Sequence, residues 1–172
     1  METQTTTTRT ALKFGLITGV AYIIYTTILY VTGQVANTYL GWLGLVISIT
    51  GMVFAMKEFR EDNGGFMSYS QGLGIGTMLS AISGFVAATY GYIYNEFIDT
   101  TLRQQILDKA RTDMENKGMD DTQIDQALEM AQKFSSPGIS FAFGIIGAII
   151  LGFLISLVVS AIMKKEKPFE IE

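Results

Sequence analysis

The sequence contains no cysteine and no histidine among its 172 residues. Without cysteine, the chain has no disulfide, no thiolate nucleophile and no thiolate ligand for a metal. Without histidine, it lacks the commonest general base and the usual nitrogen ligand for zinc, iron or copper. Catalysis would have to rest on carboxylate, lysine or tyrosine side chains, and we expect neither an enzyme nor a bound cofactor or metal.

Charged residues are missing from the interiors of four long apolar stretches, which cover about 12–32, 39–57, 70–94 and 138–163. Stretches of this length and composition can cross a bilayer as helices. Ionisable residues inside spans usually mark proton relays and ion coupling, so their absence argues against a pump or a secondary active transporter. The pattern predicts an all-α integral membrane protein. We expect a four-helix bundle in a single domain over 11–172, after a flexible tail over 1–10.

Small residues recur at every fourth position in the last two apolar stretches. The first row is Gly72, Gly76, Ser80, Gly84 and Ala88, and the second is Gly144, Ala148, Gly152, Ser156 and Ser160. A spacing of four places each row on one helix face, where small side chains allow two helices to approach closely. We expect these rows to pack against each other, and the Gly15-x-x-x-Gly19 motif to serve the same purpose. Homodimerisation or the docking of a partner is the alternative use of these faces.

The longest polar segment, 95–136, separates the third and fourth apolar stretches. It carries nine acidic and five basic residues, so its net charge of −4 equals that of the whole chain. Apolar residues share one face of each of two predicted helices: Leu102, Ile106, Ala110 and Met114, then Ile124, Leu128 and Ala131. Asp99 or Thr100 is expected to cap the first helix, and Asp120 or Asp121 the second. This predicts a helical hairpin outside the bilayer, and the pattern also fits an extension of the third span.

Basic residues are concentrated at one end of the predicted spans. Seven flank that end: Arg9, Lys13, Lys57, Arg60, Lys164, Lys165 and Lys167. The first connection has none, and acids outnumber the five bases of 95–136. Because basic residues mark the cytoplasmic side of a membrane protein, we expect both termini in the cytoplasm and residues 95–136 in the periplasm.

The charged connection KEFREDNGG, which covers residues 57–65, is the strongest candidate for a docking surface. Lys57, Arg60 and the nearby Gln71 can offer contacts to a partner protein or to a lipid head group. A simpler interpretation is a solvated turn in which Lys57 and Glu61 form a surface ion pair.

The most distinctive segment of the sequence is KEFREDNGGFMSYSQGLGIG, Lys57–Gly76. It is accompanied by Tyr90–Asp99, by the acidic insertion, and by a Ser-Pro start to a glycine-rich last helix that ends in KKEKP. In these features the chain resembles, over 12–168, an uncharacterised bacterial membrane family, the domain of unknown function 4199. The resemblance implies a four-helix inner-membrane protein of didermic bacteria, and it carries over no activity, cofactor or site residue.

No motif in the sequence predicts a specific activity. We expect a non-enzymatic inner-membrane protein that acts as a scaffold or accessory subunit of a membrane assembly. Its partners would then be the lipid bilayer and either another membrane protein or further copies of itself, with no nucleic acid. The alternative is a small oligomeric permease or channel for a neutral or lipid-linked substrate.

Overall fold

The chain is almost entirely helical in the computed structural model, which describes residues 6–35, 37–134 and 136–167. Its helices are α1 (Thr7–Val31), α2 (Thr38–Asp62), α3 (Tyr69–Ile93), α4 (Leu102–Asn116), α5 (Asp121–Phe134) and α6 (Pro137–Met163). Four of them, α1, α2, α3 and α6, are long and apolar enough to cross a membrane. The prediction of an all-α chain with four candidate spans is therefore confirmed.

The first turns of α1, the last turns of α2 and the residues that follow α6 lie on one side of the molecule, which we call the termini end. Lys13 of α1 pairs there with Glu58 of α2, at an Nζ–Oε2 distance of 2.6 Å. Met67 and Lys165 exchange backbone hydrogen bonds of 2.8 and 2.9 Å in an isolated β-bridge. The opposite side, which carries the α1–α2 connection together with α4 and α5, is called the insertion end.

The start of α1 differs from the predicted boundary of the flexible tail over 1–10. Thr6 caps the helix, because its hydroxyl oxygen accepts a hydrogen bond from the backbone N–H of Arg9 at 3.2 Å. The helix consequently begins at Thr7, so the last four residues of the predicted tail are helical. Residues 1–5 lie outside the described part of the chain.

The end of α3 also differs from the sequence prediction, which placed it at Tyr94. The chain continues as one π-helical turn, Tyr94–Ile98, closed by a 2.9 Å hydrogen bond from the Asp99 N–H to the Tyr94 carbonyl. The hydroxyl and backbone N–H of Thr101 both donate to the Asp99 carboxylate, at 2.6 and 2.9 Å, and hold the pKa of Asp99 below its ordinary value. α4 then begins at Leu102, with Thr101 rather than either predicted residue at the N-cap position.

The two shorter helices, α4 and α5, contact each other and are joined by residues 117–120. Asp120 caps α5 as predicted, since its Oδ1 accepts a hydrogen bond from the Gln123 N–H at 3.0 Å. Arg111 of α4 and Asp125 of α5 form an ion pair of 2.5 Å. Three apolar side chains of these helices are buried: Leu102, Ile124 and Leu128. Most of the charged residues face outward.

The buried apolar core lies in the half of the spans that is nearer the termini end. It is formed by Met52, Ala55, Met56, Phe59, Met67, Ile75, Leu79 and Val159. With a rise of 1.5 Å per residue, the deepest of these on α2 and α3 lie about 15 Å from the termini end of their helices. The core therefore joins α2, α3 and α6 in this half alone.

Candidate functional site

The small-residue rows of α3 and α6 face each other, and we call this contact the seam. The closest pairs across it are Gly72 with Ser160, Gly76 with Ser156, Ser80 with Gly152, and Gly84 with Ala148. These pairs follow one antiparallel register along two helices. A Cβ atom added to any of the four glycines would lie less than 3.0 Å from the facing side chain. The seam accepts no larger residue at these positions without a shift of the helices.

Two hydroxyl groups in the seam have no conventional hydrogen-bond partner among the described residues. They are Ser80 Oγ and Ser160 Oγ, and both side chains are almost completely buried. Each oxygen lies in the direction in which a Cβ atom would project from a facing glycine, Gly152 and Gly72 respectively. A glycine carries a hydrogen in that direction, which is the orientation that a weak Cα–H···O contact requires.

The glycines of α1 contact a different kind of surface on α3. A Cβ atom on Gly15 would lie 2.8 Å from Ile82 Cβ, and one on Gly19 would lie 2.8 Å from Val86 Cβ. Branched side chains of α3 therefore fill the space above these two glycines. Consequently, α3 contacts α1 on one face and α6 on another, and these are the most extensive helix contacts of the described chain.

Towards the insertion end, a cavity that we call the inner cavity lies beside the seam, and its wall includes the closely packed pairs Ser80–Gly152 and Gly84–Ala148. Gly144 is exposed, and a Cβ atom on it would be in ordinary contact with Ala88, 3.7 Å away. The inner cavity has a volume of about 340 Å³ and a mainly apolar wall, part of which is formed by four hydroxyl-bearing residues: Tyr22, Ser48, Ser80 and Ser83. Tyr22 donates its hydroxyl proton to the Gly44 carbonyl at 2.6 Å. The cavity is therefore uncharged and mainly apolar, with a few hydroxyl groups on its wall.

A second space, which we call the outer groove, adjoins the inner cavity at Ala88 and has a volume of about 350 Å³. Its wall is formed by the end of α3, by α4 and by the start of α6, and includes Tyr92, Glu96, Arg103, Ser140 and Phe141. Glu96 Oε1 and Arg103 Nη2 are 3.6 Å apart, and both side chains remain substantially exposed, at 35% and 47%. The groove is therefore charged at one end and mainly apolar towards Ala88.

Aromatic rings strengthen the helix contacts around these spaces. The Phe141 ring of α6 lies edge-on to Phe85 and to Tyr92 of α3, with centroid distances of 6.1 Å to each. On the side of α1, the Tyr30 and Tyr94 rings lie 4.5 Å apart. Aromatic residues at this level are typical of the membrane–water interface, and their edge-to-face packing fixes the wall of the outer groove.

The three residues predicted to offer docking contacts at the termini end have partners within the chain. Arg60 Nη1 donates to the Met163 carbonyl at 3.4 Å, where its charge complements the C-terminal dipole of α6. Gln71 and Ser68 form a capping box at the start of α3, with hydrogen bonds of 2.8 and 3.3 Å. Lys57 lies 4.0 Å from Glu61 and remains exposed.

Sequence reasoning did not single out the charged end of the outer groove. Glu96 and Arg103 stand seven residues apart, on either side of the break at Asp99, and nothing in their spacing indicates an ion pair. No motif in the sequence marks Tyr92 or Phe141 as part of a site. Across 6–35, 37–134 and 136–167, no three carboxylate side chains are arranged as a metal site.

Four apolar helices, two of which meet along rows of small residues, define a multi-pass integral membrane protein. The chain belongs to the family described as "Protein of unknown function (DUF4199)", which matches residues 13–165. No curated protein and no solved structure matches the sequence. Membership of this family brings no activity with it, so function must be argued from the geometry.

Proposed function

We propose that the chain is a non-enzymatic protein of the bacterial inner membrane that serves as a scaffold or accessory subunit of a membrane assembly. The observation that carries the proposal is the contrast between its four long helices and the α4–α5 pair. The small-residue rows of the long helices already contact one another. The α4–α5 pair instead presents a charged, mostly exposed surface beside the membrane.

This surface has the chemistry of a recognition site for a basic partner. The segment 95–136 has a net charge of −4, from nine acids and five bases. Several of its ion pairs are local, such as Lys133 with Glu129 at 3.0 Å, and exposed pairs of this kind contribute little to stability. Because an acidic surface attracts a positively charged one over several ångströms, the pair of helices can steer a partner into contact.

The partner proposal is tested by affinity purification of the full chain from its native membranes, quantified by mass spectrometry. Glu129→Lys reverses one exposed charge on α5, and we expect a several-fold lower recovery of a co-purifying partner at low salt, with a smaller difference from the unaltered chain at high salt. Glu61→Lys is the matched control, since Glu61 is also exposed and also pairs with a lysine four residues away. Equal recovery with both variants, or no partner enriched over an untagged sample, would overturn the proposal.

The proposed orientation places both termini in the cytoplasm and residues 95–136 in the periplasm. It rests on the seven basic residues near the termini end against the acid-rich insertion. The absence of cysteine makes a direct test possible, since any introduced cysteine is the only thiol. A membrane-impermeant maleimide should label Lys117→Cys in intact cells, and Glu61→Cys only after lysis. The reverse labelling pattern would invert the orientation.

The second candidate is a small oligomeric permease or channel for a neutral or lipid-linked substrate. The inner cavity favours it, because hydroxyl groups line a space between α1, α2, α3 and α6. In the other half of the spans, Met52, Met56 and Phe59 are buried in a packed core. Passage would therefore require these side chains to move or several copies to enclose a path. Substrate flux into liposomes containing the purified protein distinguishes this candidate from a scaffold.

A further inference from the structure

The outer groove changes from charged to apolar along a direction that is parallel to α3. Glu96 lies at its charged end and Ala88 at its apolar end. Eight residues of helix separate them, which corresponds to about 12 Å. Since α3 is one of the candidate spans, this direction leads from the membrane surface towards the bilayer interior. The groove therefore changes from charged to apolar in the same direction, and over a similar distance, as a phospholipid changes from head group to acyl chain in the adjoining leaflet.

The charged end offers two opposite charges that are not fully satisfied by each other. Charge-assisted hydrogen bonds between a guanidinium and a carboxylate are normally about 2.7–2.9 Å long. The separation of 3.6 Å between Arg103 Nη2 and Glu96 Oε1 is longer than that. Both side chains also remain partly exposed. An incoming molecule can consequently meet a hydrogen-bond donor at Arg103 and an acceptor at Glu96.

We infer that the outer groove binds one phospholipid whose head group carries both a phosphate and a primary ammonium. Arg103 binds the phosphate, because a guanidinium matches the geometry of phosphate oxygens. Glu96 accepts hydrogen bonds from the primary ammonium. A quaternary ammonium has no N–H group and cannot donate them. The mixed charge at this end distinguishes such a head group from one that is only anionic.

The inner cavity provides the continuation for an acyl chain of the same lipid. It shares Ala88 with the outer groove and extends along the seam to Gly152. The exposed Gly144 lies on its wall, where the absence of a side chain leaves room beside α6. An acyl chain in this position lies beside the seam, against the small residues of α3 and α6 that line the cavity.

The inference is tested with the purified full chain, native mass spectrometry and three defined lipids. These are phosphatidylethanolamine, phosphatidylcholine and phosphatidylglycerol, which share a phosphate and differ in the group beyond it. We expect one phosphatidylethanolamine to be retained about tenfold more tightly than the other two, the factor expected for one additional charge-assisted hydrogen bond. Equal retention of the three lipids would overturn the inference, and this comparison requires no variant.

Variants assign the selectivity to the two residues. Glu96→Gln should lower the retention of phosphatidylethanolamine to that of phosphatidylglycerol, whereas Arg103→Gln should weaken all three lipids and Arg103→Lys should restore part of the binding. Lys109→Gln is the control, because Lys109 lies on the same helix and pairs with Asp113 outside the groove. Unchanged selectivity in Glu96→Gln would contradict the inference. The experiment contains no protein partner, so its outcome is independent of the proposed scaffold function.

Discussion

Small residues recur at the same spacing in the two halves of the spans, yet the two halves are packed differently. In the termini half, Gly76 and its neighbours leave no space against α6, and a buried apolar core closes the helices from the side of α2. In the insertion half, Ala88 and Gly144 continue the register, yet the helices enclose the inner cavity. A repeat of small residues therefore permits close approach but does not enforce it.

The position of α2 accounts for the difference between the halves. Towards the termini end, Met56 of α2 lies against the seam, its Cε atom 3.3 Å from the Cβ position of Gly76. Towards the insertion end, α2 contacts α1 instead, through hydrogen bonds from Tyr22 to Gly44 and from Tyr25 to Leu40. No α2 side chain there has a counterpart to Met56 pressing on the seam among the described contacts. A third helix therefore packs against the seam in one half, whereas in the other half a cavity lies beside it.

The largest expected loss of stability comes from Gly76→Leu, which places a large side chain in the closely packed termini half of the seam. That side chain would overlap Ser156, so we expect the unfolding free energy in detergent to fall by about 3 kcal/mol, near the upper end for extra methylenes in a packed core. Thermal unfolding of the purified chain measures this change.

Gly147→Leu is the matched control for that substitution. Gly147 lies on α6 with no other residue within 4 Å of its Cβ position, so leucine there adds only apolar surface. We expect its thermal stability to remain close to that of the unaltered chain. If both variants unfold at the same temperature as the unaltered chain, the termini half is not held by close packing.

The spans and the two small-residue faces could be read from the sequence because both depend on local periodicity. Hydropathy marks a span without reference to its neighbours, and a spacing of four marks a face. The cap at Thr6 and the π-helical turn after Ile93 were missed, since each depends on a few backbone hydrogen bonds that composition does not reveal.

The outer groove could not be anticipated, because it depends on tertiary contacts between segments distant in sequence. The break at Asp99 brings Arg103 back towards Glu96, and α6 contributes Phe141 from the far side of the insertion. Likewise, the sequence predicted docking contacts at Arg60 and Gln71 but did not show that Arg60 contacts the end of α6 or that Gln71 caps α3. A side chain's local charge or polarity does not show which distant backbone group it meets.

A smaller effect on stability is expected from Gly144→Leu, which places the same side chain in the insertion half. The nearest atom to its Cβ position is Ala88 Cβ at 3.7 Å, an ordinary contact, so no helix has to shift. Replacing a helical glycine also removes a penalty of about 0.8–1.0 kcal/mol, and we expect the stability of the lipid-free protein to change by no more than that. The difference between the unfolding free energies of Gly144→Leu and Gly76→Leu then measures how much more tightly the termini half is packed.

The same variant should separate stability from lipid binding. A leucine at position 144 projects into the inner cavity, where the acyl chain of the proposed phospholipid would lie, so retention of phosphatidylethanolamine should fall while unfolding remains nearly unchanged. Gly147→Leu, three residues further along α6 and away from the cavity, should retain the lipid as the unaltered chain does. A loss of stability as large as that of Gly76→Leu would show that the insertion half is packed like the termini half. Full lipid retention in Gly144→Leu would show that the acyl chain of the lipid does not lie in the inner cavity.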